Sequence, residues 1–167
     1  SVFAARTAGS RRVEVRTIDR VVVQIASAYH RGLGLPQDPV AWVRQHEDGY
    51  RHLAVKVARL LERYPMIARS VATRHPVVVC DEHQDSSGAQ HAVVSAVLSQ
   101  GGRVRIFGDP LQKIFREEEV EDSFEPCDWA TLKGSADSCE ELDHPHRWEN
   151  GCRDLGRWVL DARAALK

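Results

Sequence analysis

The stretch from His75 to Pro110 constrains the fold of this chain more than any other. "PVVVC" is a short β-branched run with no alternation, the pattern of a strand covered on both faces. Ser86 to Gln100 then reads as a helix, with Val93, Val94, Val97 and Leu98 apolar, and the Gly101–Gly102 pair stops it. "RVRIFGDP", from Arg103, is a second strand ending in a Gly-Asp-Pro turn. Strand, helix, strand with short connections is a βαβ unit, which makes the two strands parallel. Both "DEHQD" and "GDP" then lie at the C-terminal ends of parallel strands, the edge where open α/β sheets bind ligands.

The rest of the chain reads mostly as helix. "SVFAARTAGSRR" is small and polar, a loop or frayed end, and Val13 to Val15 form a short strand candidate. Thr17 can cap a helix whose apolar face repeats through Val21, Val22, Ile25 and Tyr29. "RGLGLPQDP" breaks it. A second helix runs from about Pro39 to His46, and a longer one from about Tyr50 to Tyr64 with Leu53, Val57, Leu60 and Leu61 on one face. After Phe115 come the acidic "REEEVED" and the polar "SFEPCDWATLKGSADS", which read as loop. "CEELDHPHRW" offers one more short strand. Glu149 to Lys167 reads as a helix with Leu155, Trp158, Val159 and Leu160 turned inward.

Composition narrows the class. With 167 residues, 43% apolar and 28% charged, the chain suits one globular domain, or one domain and part of another. A net charge of -1 excludes a histone-like basic domain but allows a local basic groove. No apolar run approaches the roughly 20 residues of a membrane span, and no signal core follows the N-terminus. The expectation is a soluble cytoplasmic protein with no membrane partner. Cys80, Cys127, Cys139 and Cys152 form no C-x-x-C pair, which argues against a zinc ribbon or a compact disulfide framework. Cys139, His144, His146 and Cys152 match no familiar finger spacing, and "HPH" reads equally well as a turn held by Pro145. Reduced structural cysteines are expected.

"DEHQD" crowds three carboxylates, Asp81, Glu82 and Asp85, into five residues. Such repulsion is costly unless a cation or a proton lies among them. An apolar strand ending in Asp-Glu is the Walker B pattern, in which the Asp holds magnesium through water and the Glu activates the attacking water. Strand-end carboxylates are also common in turns, so this pattern alone leaves a solvated turn open.

The second loop extends the pattern. Asp81, Glu82, Gln84 and Asp85, then Gly108, Asp109, Gln112, Ile114 and Phe115, read as D-E-x-Q-D, helix, strand and G-D-x-x-Q-x-I-aromatic. This resembles motifs II and III of the UvrD/Rep-type superfamily 1 DNA helicases. "VRTIDRVVVQIA" lies where that family carries motif Ib: Thr17 matches, while Asp19 replaces the usual His and Arg20 the small residue. "LDHPHRW" resembles motif IV, with Arg147 as its arginine. The resemblance covers about residues 11 to 165 and is strong over 75 to 116.

The resemblance implies an α/β fold with a RecA-like parallel sheet of P-loop NTPase type, flanked by helices and carrying a short helical insertion. Residues 1–37 would belong to the first RecA-like domain and 38–70 to the insertion. Residues 71–116 would be the core with motifs II and III, and 117–167 an irregular acidic segment that begins the second RecA-like domain. The implied cofactors are ATP and Mg2+. Asp81 would hold the magnesium through water and Glu82 would act as general base. Gln84, Gln112 and Arg147 would face the nucleotide, with Gln112 and Arg147 reaching the γ-phosphate. Thr17, Phe115 and Arg116 would meet DNA, Phe115 by stacking on a base. The implied partners are single-stranded DNA or DNA junctions and the rest of a helicase chain.

The sequence departs from the family in two ways. No G-x-x-x-x-G-K-[ST] occurs, so the amides and lysine that cradle phosphates are expected upstream of Ser1. The acidic "REEEV" follows motif III, where it would repel a DNA backbone. The expectation is therefore a piece of an ATP-dependent DNA helicase, inactive as an isolated chain. The rival is a catalytically inactive, helicase-derived module that binds protein or DNA. A metal nuclease using Asp81, Glu82 and Asp109 ranks below both, because it leaves Gln84 and Gln112 without a role.

Overall fold

The computed structural model describes residues 13–113, 124–142, 148 and 151–166. Its core is built from helices. α1 (Ile18–Ala28) starts at Thr17, whose hydroxyl accepts the Arg20 N–H at 3.3 Å, and it buries Val22, Ile25 and Ala26. α2 (Pro39–Arg44) is capped by Asp38 and turns sharply into α3 (Gly49–Arg63). At that turn a Cβ on Gly49 would run into the Val43 carbonyl, so only glycine fits. α3 buries Leu53, Ala54, Val57, Ala58, Leu60 and Leu61, an apolar stripe at helical spacing.

α4 (Pro65–Arg74) follows at once. Sequence reading did not pick it out, because Pro65 looks like a breaker. It occupies the first helical position, where its missing N–H has no partner to lose. β1 (Val77–Cys80), α5 (Gly88–Ser99) and β2 (Arg103–Ile106) complete the βαβ unit. The strands pair in parallel, from Val77 opposite Arg103 to Cys80 opposite Ile106. α3 packs on α5 and α1, and α4 packs on α3 and α5. The fold is thus a helical layer against a small two-stranded parallel sheet.

Several expectations change. β1 is not covered on both faces: Val77 and Val79 are 51% and 60% exposed, opposite exposed Arg103 and Arg105. Nothing among the described residues lies over that side of the sheet. Val13 to Val15 are exposed and not in a strand, because no strand among the described residues runs beside them. The segment expected as loop contains α6 (Trp129–Ser135), started by Asp128, whose carboxylate accepts the Ala130 and Thr131 N–H groups. The last helix, α7, spans Arg153–Leu166. Its expected inner face is largely outside: Leu155 and Leu160 are exposed, Trp158 is 67% exposed, and only Val159 is half-buried. Its contact with Trp148 runs instead through Gly156, where a Cβ would lie 2.6 Å from the Trp148 Cβ. Residues 139–142 hold no strand, and the remainder of that candidate lies mostly outside the described residues.

Candidate functional site

Strand register brings the two motif loops side by side. Past the last ladder pair, the Phe107 N–H donates to the Cys80 carbonyl at 2.8 Å and the His83 N–H to the Phe107 carbonyl at 3.0 Å. Asp81 and Glu82 sit exposed at the end of β1. Glu82 has φ 51° and ψ 40°, a left-handed conformation that L residues adopt at a cost. The Asp81 carboxylate accepts the Glu82 N–H at 3.1 Å, and the Glu82 carbonyl accepts the Asp85 N–H at 3.0 Å. Local bonds thus hold Glu82 in a conformation its side chain disfavours.

Gln84 joins the loops. It is 3% exposed, within the 3-10 turn His83–Asp85. Its Nε2 donates to Glu82 Oε2 at 2.8 Å, and its Oε1 accepts the Asp109 N–H at 3.0 Å. Gly108 allows this approach: a Cβ there would lie 2.8 Å from Gln84 Oε1 and 2.7 Å from the Trp129 ring.

Asp109 gathers the second loop. Its carboxylate accepts the Leu111 N–H at 3.1 Å, the Gln112 Nε2 at 2.7 Å and the Arg163 guanidinium of α7 at 2.5 Å. The Arg163 bond lowers its pKa to about 2; partial burial opposes that, and Gln112 and Leu111 reinforce it. Glu82, Gln84, Asp109 and Gln112 therefore form one connected chain of hydrogen bonds.

Of the residues expected from sequence, Asp81, Glu82, Gln84 and Gln112 come together on these adjoining loops. Thr17 stands at the exposed start of α1 as a helix cap. Asp19, where the family has His, accepts Gln90 Nε2 at 2.7 Å. Gln90 is also half of the Ser87 capping box that starts α5, so this departure serves to dock α1 on α5. Phe115, Arg116 and Arg147 lie outside the described residues. Sequence reasoning missed Arg163, whose place 54 residues beyond Asp109 carries no pattern.

Behind the loop, His83 is 2% exposed and bonded to His91 at 2.9 Å. Burial, with the His91 charge adding to it, lowers the His83 pKa to about 4; burial also lowers that of His91. Cys80 and Cys127 are half-buried and Cys139 and Cys152 exposed, all four outside any disulfide. Burial raises the Cys80 pKa. The exposed cysteines correct the expectation that all four are structural, and His144 and His146 lie outside the described residues.

The hard oxygen donors of Asp81 and Glu82, exposed at a strand end, suit a magnesium ion held largely by water. Acidic and amide side chains are thus linked across the strand ends of a parallel βαβ unit, the edge at which α/β sheets of this kind bind ligands. The family model of the UvrD/REP helicase N-terminal domain matches residues 12–118. This covers more than half of the chain, which belongs to that helicase family. No curated protein and no solved structure matches it. Among the described residues, no helix is long and apolar enough to cross a membrane.

Proposed function

We propose that this chain supplies the hydrolytic and nucleotide-sensing loops of an ATP-dependent DNA helicase. The bonded series Glu82, Gln84, Asp109 and Gln112 carries the reading, because it ties the two motif loops into one unit. In this reading the βαβ unit is part of a RecA-like sheet. Magnesium, when bound, would neutralise developing charge on the phosphates. Asp81 would hold it through water. Glu82, oriented by the Gln84 amide, would take the proton of the attacking water. Gln112 would contact the γ-phosphate and pass its presence along to Phe115 and Arg116 at single-stranded DNA. Arg147 would approach from a second core domain, and a phosphate cradle would come from outside these 167 residues.

The test needs the chain joined to such a cradle. Glu82→Gln should keep ATP binding and lower hydrolysis by at least about 10²-fold. Gln112→Ala should weaken DNA stimulation of hydrolysis more than nucleotide affinity. Wild-type hydrolysis and unwinding in Glu82→Gln would overturn the assignment. A joined wild-type chain that binds DNA without hydrolysing ATP would leave the binding-module reading, which the acidic run after Phe115 favours. The isolated chain should show no DNA-stimulated phosphate release.

A further inference from the structure

His83, His91 and Cys127 each present one ligand atom, and these atoms all lie within 4.8 Å of one another. They come from three separate places: the turn after β1, the second turn of α5, and the segment leading into α6. We propose that these three side chains form a zinc site of the two-nitrogen, one-thiolate kind, with water in the fourth position.

The orientation of the two rings supports this. The inner atoms, His83 Nε2 and His91 Nδ1, face each other at 2.9 Å. The outer atoms each meet a serine hydroxyl: His83 Nδ1 lies 3.2 Å from Ser86 Oγ, and His91 Nε2 lies 3.4 Å from Ser95 Oγ. With the outer N–H of each ring donated to its serine, both inner nitrogens offer a lone pair to the metal, in place of the hydrogen bond they share without it. Metal-bound histidines are commonly oriented this way, by a partner on the second ring nitrogen. Tetrahedral zinc sets its nitrogen ligands about 3.3 Å apart and nitrogen and sulfur about 3.6 Å apart. The rings need to part by a few tenths of an ångström, and the Cys127 sulfur, within 4.8 Å of the histidine nitrogens, to close in by at most about 1.2 Å.

Imidazole and thiolate donors suit zinc and not magnesium, so this site is separate from the carboxylates of Asp81 and Glu82. Binding forms a zinc–sulfur bond, and the Cys127 thiol proton leaves to solvent. The backbone is already arranged for it. The Phe124 and Glu125 carbonyls close so tightly over Gly88 that a Cβ there would strike them. Phe124 also packs on the helical core. Zinc would therefore pin the segment around Cys127 to α5, directly behind the acidic loop. The inference stands whether or not this chain hydrolyses ATP.

Cobalt provides the test. The metal-freed chain should take up one equivalent of Co2+ and show the thiolate-to-cobalt charge-transfer band and tetrahedral d–d bands. Zn2+ should displace it, binding tighter than about 1 µM but weaker than a four-ligand structural site. Cys127→Ser and His91→Gln should each abolish the thiolate band, with folding checked by circular dichroism. The double variant Cys139→Ser/Cys152→Ser should keep it. Zn2+ should also slow amide exchange in the wild-type chain over residues 124–131, a readout independent of any variant. Absence of the band, its survival in Cys127→Ser, its loss in the double variant, or unchanged exchange on adding Zn2+ would overturn the site.

Discussion

Gln84 Oε1 accepts the Asp109 N–H at 3.0 Å, so one buried amide fixes the distance between two loops twenty-five residues apart. The same amide donates to Glu82. Gln84→Ala leaves the Asp109 N–H without its acceptor and frees the Glu82 carboxylate. The expected loss of stability is about 1–3 kcal/mol, measured by urea unfolding. Gln84→Glu should lose at least as much, because it sets a second carboxylate beside Glu82. A change of a few tenths would show that the amide does not hold the loops.

Gly108 is confined by two neighbours. A Cβ would meet the Trp129 ring at 2.7 Å and Gln84 Oε1 at 2.8 Å, and one of them must yield. Gly108→Ala should therefore cost about 1–3 kcal/mol and shift the fluorescence of Trp129, read in a variant that keeps only that tryptophan. Unaltered emission and stability would place Trp129 away from the Gly-Asp-Pro turn.

Glu82 stands at φ 51°, where any side chain beyond glycine carries strain. Glu82→Gly and Glu82→Ala both remove the carboxylate, so their difference isolates the backbone. The glycine variant should be more stable than the alanine variant by about 1 kcal/mol. Equal stabilities would mean that residue 82 is not left-handed in solution.

Asp109 should titrate near pH 2, because Arg163 holds its carboxylate ionised in the folded chain. Its folded pKa lies below the unfolded value of about 3.9, so the contribution to stability is complete above pH about 4. It then falls as the pH drops toward about 2. Carbon-detected NMR of the carboxyl should show this low midpoint, and Arg163→Met should move it up toward the ordinary value. An unmoved midpoint would dissociate α7 from the Gly-Asp-Pro loop.

The legible parts of the sequence were those with local physical signals. β1, α5 and β2 were readable because β-branched runs, a valine repeat and a glycine pair each act within a few residues. Thr17 announced a helix start for the same reason. The motif spacing also led to Gln84 and Gln112, though not to their joint dependence on Asp109. α4 was hidden by a proline that reads as a break yet works as a first helical residue. The open face of β1 was hidden because three consecutive valines look the same whether one side of a strand or both are covered. Arg163 and the cluster of His83, His91 and Cys127 depend on tertiary contact between distant segments, and no spacing rule reaches them.

The side of the sheet that the described residues leave uncovered bears on how the acidic loop moves. Among the described residues the sheet has two strands, short of the three or more that ordinarily hold a sheet together by themselves, so this pair takes its order from α5 packed against it. Amide exchange should reflect that arrangement, with α3 opening last and β1 and β2 breathing at lower free energy. Asp81 and Glu82 ride on that softer element. Any layer that settles over Val77 and Val79 would damp the breathing and stiffen the carboxylates from a distance, without touching either one.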